Sequence, residues 1–297
     1  AYDPDNQRVY VSCYVGYMLT ILDVRNPAEP QRLGSLKDTT ALSRPWGIVY
    51  DPLNSFVYAT GYWSDTVTVI DVLDSSSPKV KGYYYYSHFY YMAIAYRSSS
   101  GYAYVTGKND YVDVIDVKSD PGNPSFVGYY DAYSDMGLSS CGTYACIDGI
   151  ACASSSAYCF IVGASTYMVV LDVSSKYPSY AGKVDFGNSG TETYGIAYDE
   201  THQYVFVACY YESSVSVIDV STPDSPSLVG TSFQNEDLKG ARYAVFDVLH
   251  GYLYVAARLV YKVTIVDVTA SLPTSVPIPA PTSVPIPAPT SVPIPAP

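Results

Sequence analysis

The sequence is short of positive charge. Lys and Arg together number 16 against 28 Asp and Glu, for a formal net charge of −12. That argues against nucleic acid or an anionic membrane as partner, because both are held by basic surface. No apolar run approaches the roughly 20 residues that cross a bilayer, so no membrane span is expected. Histidine is almost missing, with His88, His202 and His250 the three copies. They fall at unlike places in the repeat described below, so no His-metal centre is expected. No segment keeps a helical apolar period. Nucleophile elbows, phosphate-binding glycine loops, EF-hand loops and zinc-type Cys/His spacings are all lacking. No cofactor, metal or catalytic residue is therefore assigned, and the chain is not expected to be an enzyme. The only Asn-x-Ser/Thr match, at Asn123, is spoiled by its proline. The chain opens at Ala1 inside a β pattern, which reads as a processed product or part of a longer chain.

What is abundant is tyrosine, 34 of 297 residues. Ser, Thr and Gly are also plentiful, a mix associated with extracellular proteins. A stretch ending in Asp-Val occurs six times: MLTILDV (18–24), TVTVIDV (66–72), YVDVIDV (111–117), YMVVLDV (167–173), SVSVIDV (214–220) and KVTIVDV (262–268). The steps between its aspartates are 48, 45, 56, 47 and 48 residues, the period of a propeller blade. Each copy follows a second β run, such as FVYATGY or YVFVACY, and a third, such as WGIVYDP or YGIAYDE. Downstream comes Pro-x-x-x-Gly, as in PQRLG, PKVKG and PSLVG. The small Gly-Ile-Ala run suits a crowded inner strand, and Pro-x-x-x-Gly an outer edge, where a missing N–H costs nothing. Six such four-stranded units predict an all-β fold, a six-bladed β-propeller over residues 1–272. Six copies of one Asp argue for a structural task, the capping of the following turn. Asp3, Asp51 and Asp199 read as caps of tight turns in the same way.

The phrase VIDVSTPDSPSLVG (217–230), with YVFVACY before it, resembles the LVIVD repeat, related to the YVTN-type cell-surface propellers. The resemblance runs through residues 1–272. It implies the propeller fold and an exported, extracellular or cell-surface location, and it supplies no catalytic residues.

Four of the six cysteines, Cys141, Cys146, Cys152 and Cys159, crowd into the longest repeat. Cys141 with Cys146 and Cys152 with Cys159 are plausible disulfides, the second across a hairpin; buried free thiols are the alternative. Cys13 and Cys209 end the same strand in non-adjacent blades and are not expected to pair. The tyrosine run GYYYYSHFYYMAIAY (82–96) is expected to pack at a blade junction, with a subunit contact or a sugar-stacking platform as alternatives.

The final segment, 273–297, writes the octapeptide PTSVPIPA three times and adds a proline. Its ten prolines all stand at odd numbers, so an extended tail has one edge nearly free of donors. Val276, Ile278 and Ala280 then share one face, suited to strand donation. Unpaired, it favours polyproline II at about 3.1 Å per residue, some ~75 Å in all. Thr274, Ser275, Thr282, Ser283, Thr290 and Ser291 are candidate O-glycosylation sites, making covalent O-linked glycans expected partners. The tail resembles hydroxyproline-rich wall glycoproteins of algae and plants, without their Ser-Pro runs. In blade six the Pro-x-x-x-Gly strand has either become the first octapeptide or is missing, and if missing it leaves the edge of KVTIVDV open. Val263, Ile265, Val276, Ile278, Tyr85 and Tyr86 are candidate subunit contacts. The sequence-level reading is a structural subunit of an extracellular filament or surface layer. The propeller is the bead, and the tail is a connector in a head-to-tail homopolymer or a glycosylated stalk. A lectin-like adhesin is the alternative.

Overall fold

The computed structural model describes residues 1–26, 29–87, 89–138, 147–186, 193–229, 233–248 and 250–268. They form six antiparallel sheets, and the chain is an all-β six-bladed propeller. Blade one holds β1 (Tyr2–Asp3), β2 (Arg8–Cys13), β3 (Met18–Asp23) and β4 (Gln31–Lys37). Blade two holds β5 (Pro45–Asp51), β6 (Phe56–Gly61), β7 (Thr66–Asp71) and β8 (Lys79–Tyr85). Blade three holds β9 (Ile94–Arg97), β10 (Tyr102–Thr106), β11 (Tyr111–Asp116) and β12 (Ser125–Asp131). Blade four holds β13 (Ile147–Cys152), β14 (Tyr158–Gly163), β15 (Tyr167–Asp172) and β16 (Ser179–Asp185). Blade five holds β17 (Thr193–Asp199), β18 (Tyr204–Cys209) and β19 (Ser214–Asp219), with an outer strand in two pieces, β20 (Ser227–Leu228) and β21 (Phe233–Gln234). Blade six holds β22 (Ala241–Asp247), β23 (Tyr252–Ala257) and β24 (Lys262–Asp267), three strands among the described residues. No helix among them is long and apolar enough to cross a membrane.

The third strand of each blade explains the ring. Alternate residues of a strand point to opposite faces, and in blades two to five these strands are buried on both: one face is apolar, and the other joins an Ile or Leu next to the Asp with residues such as Thr68, Asp113 or Ser216. Neighbouring blades supply the cover. Five apolar clusters each join two consecutive blades: Tyr10, Leu19 and Ile21 against Val57 and Ile70, for example, or Val215 and Val217 against Leu253 and Val255. An aromatic pair adds to four of these junctions. Tyr10 meets Tyr50 at 5.0 Å, Tyr58 meets Tyr96 at 4.7 Å, Phe160 meets Tyr198 at 4.9 Å and Phe206 meets Phe246 at 5.1 Å.

The fifth junction, between blades three and four, is built differently. Ala153 stands where blades one, two, five and six have Asp, and Cys152 stands where they have an aromatic ring. There the β13–β14 hairpin is closed by a Cys152–Cys159 disulfide. Arg97, which replaces that Asp in blade three, is buried and donates to the carbonyls of Ala153 (3.1 Å), Ser156 (2.7 Å) and Val173 (3.2 Å). One guanidinium thus clasps the next blade at three points.

Pro-x-x-x-Gly also acquires a reason. The ladder between β7 and β8 shifts register at Val69/Ile70, beside Gly82. A Cβ on Gly82 would lie 2.3 Å from the Gly122 carbonyl oxygen of blade three. The outer strand bulges there, and only a residue without a side chain lets the next blade's turn close over it. Gly82→Ala is expected to cost about 1–3 kcal/mol by overpacking, read as a lowered urea midpoint; an unchanged midpoint contradicts this contact.

A third-strand position of blade three is acidic. Asp113 is buried, accepts a 2.8 Å bond from the Tyr91 hydroxyl, and lies near Tyr84 and Tyr111. Burial pushes its carboxyl up to about 6 from 3.8. A raised folded-state value means that the group stabilises the fold while protonated, below about pH 4, and loses this as pH rises through about 6. Asp113→Asn is therefore expected to gain stability over the parent protein as pH rises from 4 to 7. Urea denaturation at both pH values checks this, and a constant difference contradicts it.

Candidate functional site

The repeated aspartates do what their position suggested. Asp23, Asp71, Asp116, Asp172 and Asp219 each accept the backbone N–H two residues on, at 2.7–3.0 Å. Asp3, Asp51 and Asp199 likewise cap the turn after the inner strand, with Oδ1 accepting from backbone N–H groups. The expectation that the histidines sit at unlike places needs correction. His202 and His250 are equivalent: each stands three residues after the inner-strand Asp. Their Nδ1 atoms lie 2.6 Å from Asp199 Oδ2 and 2.7 Å from Asp247 Oδ2. Asn6 and Asn54 do the same for Asp3 and Asp51 at 2.9 and 2.8 Å. The shared pattern is Asp-x-x-Asn/His, legible in the sequence but hidden when the period is counted from Asp-Val. His88 lies outside the described residues. Among those described, no three His, Cys, Asp or Glu side chains gather as metal ligands.

The other singled-out residues separate into three groups. Cys152 and Cys159 are joined, and Cys13 and Cys209 are free thiols. Cys141, Cys146, Val276, Ile278 and the tail's Thr and Ser residues lie outside the described residues. The tyrosine run divides: within β8, Tyr84 packs against the blade two–three cluster while Tyr83 and Tyr85 are exposed, and beyond the strand Tyr86 is exposed and Tyr91 buried.

Blades six and one meet differently from all other neighbours. No apolar cluster joins them among the described residues. Counted back from the repeated Asp, the fourth and second residues of the third strand face the following blade. In blades one to five these ten side chains are at most 4% exposed. Their equivalents in blade six, Val263 and Ile265, are 66% and 58% exposed. Tyr254 and Tyr2, the equivalents of the stacked pairs, make no ring contact, and Tyr2 is 53% exposed. Val11, on the blade-six side of β2, is also exposed. On the facing side, the inner strand β1 has two residues where β5 has seven.

The inner strands surround a channel cavity of about 940 Å³. Gly47, Gly149 and Gly195 line it, each placed where a Cβ would meet the next blade's inner-strand backbone. The channel reaches Ala1, Val11 and Ser12 on one side and Val245 and Arg258 on the other, so it continues into the open junction. At one mouth the β2–β3 type turns and the starts of the inner strands bring aromatic rings together. Trp46 lies 5.4 Å from Tyr14 and 5.6 Å from Tyr62, which lies 5.4 Å from Tyr90. Cations are set between them: Arg44 over Tyr14 and Trp63, Lys108 over Tyr62 and Tyr90, Arg242 over Trp46 and Tyr194. Composition alone could not reveal this cluster, because its members come from different blades.

His202→Asn is expected to keep the stability of the parent, since Asn fills the same place in blades one and two. His202→Ala is expected to lose about 0.5–1.5 kcal/mol. Thermal unfolding of the two variants checks the pair, and equal losses contradict the shared role.

The LVIVD repeat is matched at residues 98–132 and 202–232, so LVIVD repeats are present in blades three and five. No curated protein matches the sequence. Solved structures with the same fold are distant in sequence. A β-propeller domain from Myceliophteria thermophila superposes with a TM-score of 0.67 at 13% identity, covering 90% of this chain and 81% of that one. A putative 6-phosphogluconolactonase from Bacteroides fragilis gives 0.68 at 11% identity, with 89% and 78% covered. A structure of a nidogen/laminin complex gives 0.62 at 10% identity, with 89% and 90% covered. At such identities the likeness is one of fold.

Proposed function

We propose that the protein is a non-enzymatic structural subunit of an extracellular filament or surface layer. The propeller is the bead, and the octapeptide tail of one copy docks on blade six of the next. The observation that carries this reading is the exposure of Val263 and Ile265, at 66% and 58%, in a position buried five times elsewhere in the chain. Together with the outer edge of β24, which has no partner strand among the described residues, they form an apolar surface beside a strand edge. The tail has matching chemistry. Extended, it offers the N–H groups of Thr, Val, Ile and Ala along one edge, and almost none along the other. A strand of that kind pairs with β24 and stops further growth of the sheet, while Val276 and Ile278 sit beside Val263 and Ile265 as cross-strand neighbours. A tail that leaves one subunit and binds the next makes a heterologous contact, which propagates. The Cys152–Cys159 disulfide supports an oxidising, extracellular setting.

Electron microscopy and light scattering of the full chain, of a chain ending at Val268, and of Val263→Asp/Ile265→Asp test the reading. Assemblies are expected from the full chain alone. Monodisperse monomers in all three samples contradict it, as do assemblies that survive both changes. A tail bound within its own chain would show as concentration-independent monomers that are destabilised by truncation, and this also counts against the filament.

A further inference from the structure

The aromatic channel mouth has chemistry that neither the fold nor self-assembly requires. Fold-building aromatic pairs already occupy the blade junctions, in the Tyr10–Tyr50 manner. The mouth is a second set, placed on turns and strand ends. Its rings keep exposed surface: Trp63 is 54%, Tyr211 63% and Tyr90 36% exposed. Tyr194 extends the set to Tyr210 at 5.4 Å, and Tyr210 to Tyr211 at 5.2 Å. Flat rings of this kind offer faces to the C–H surfaces of a pyranose ring.

The cations narrow the choice. The chain has only 16 Lys and Arg residues, yet Arg44, Lys108 and Arg242 all stand among these rings. Among the described residues, neither Arg44 nor Arg242 forms an ion pair. Arg44 donates from Nη1 to the Tyr14 hydroxyl at 3.0 Å and has Tyr17 as a second hydroxyl neighbour. Arg242 has Tyr243 as a side-chain partner, and its buried Nε has no hydrogen-bond partner. A guanidinium set among rings offers its remaining donors to a planar acceptor such as a carboxylate. Two acids stand near the site: Asp148, 7% exposed on the channel wall, acts on Tyr243 together with Arg242, and Asp65 accepts from the Tyr90 N–H at 2.7 Å.

We propose that the channel mouth is a binding site for acidic oligosaccharides, with uronate rings stacked on Trp46 and Trp63 and their carboxylates held by Arg44 and Arg242. This does not rest on self-assembly, and either can fail alone. In a protein of net charge −12 the site is a local positive island within an aromatic surface. Its affinity comes from stacking, and its preference for acids from the two guanidinium groups.

The test is calorimetric titration of the full chain with tetragalacturonic acid, with neutral galactotetraose, and with a synthetic PTSVPIPAPTSVPIPAP peptide. Saturable binding of the acid is expected, at least tenfold tighter than of the neutral sugar. Arg242→Gln and Trp46→Ala are expected to weaken it at least tenfold. Trp63→Ala, at an exposed position with little risk to folding, is expected to weaken it severalfold. No saturable binding of the acid overturns the proposal, as does binding that Arg242→Gln and Trp63→Ala leave unchanged. A neutral sugar that binds as tightly removes the role of the cations. Binding of the peptide alone overturns it too, and assigns the mouth to the tail.

Discussion

A third strand with one wholly apolar face, and with an Ile or Leu among small polar residues on the other, cannot sit at the surface of a sheet stack. It must be covered twice, once by each neighbouring blade, and this requirement organises the molecule. A row of such blades always has two uncovered outer faces unless the row bends into a ring and the faces meet. Five junctions here meet that need, with clusters built from the same sequence positions each time. Among the described residues the sixth has no such cluster, and Val263, Ile265, Tyr2 and Val11, which stand at positions that the other junctions use, are exposed.

The junctions also show how one design absorbs substitutions. Where blades one, two, five and six cap a turn with Asp and secure it with Asn or His, blade three has Arg97 and blade four has Ala153. The two exceptions are adjacent and compensate one another. Arg97 supplies donors to the carbonyls that blade four's turn leaves open, and the Cys152–Cys159 bond closes the hairpin that lacks its carboxylate. The extra length of the fourth repeat falls beside this rearranged junction.

The sequence carried the fold because each blade repeats its own instructions. The six Asp-Val strands, the Gly-Ile inner strands and the Pro-x-x-x-Gly edges could be counted, and each has a local physical reason. The alignment of Ala1-Tyr2-Asp3-Pro4 with the end of β5 was equally visible. The proposed surfaces were less legible. Val263 and Ile265 look like any other core pair in KVTIVDV, and their exposure depends on the facing blade, about 250 residues away in the chain. Trp46, Tyr62, Arg44 and Arg242 converge only when the ring forms, and no spacing announces them. The tyrosine run 82–96, the most conspicuous local feature, divides between packing and solvent, by alternation within β8 and by the path of the connection after it.

The central claim is that blade six is an unfinished interface completed by the tail of another copy. Hydrogen–deuterium exchange of the β24 amides, in the full chain and in a chain ending at Val268, tests it most directly. The account predicts protection of Val263–Val266 that grows with protein concentration in the full chain and stays low in the shortened one. Protection that is the same in both chains, or independent of concentration, would contradict it.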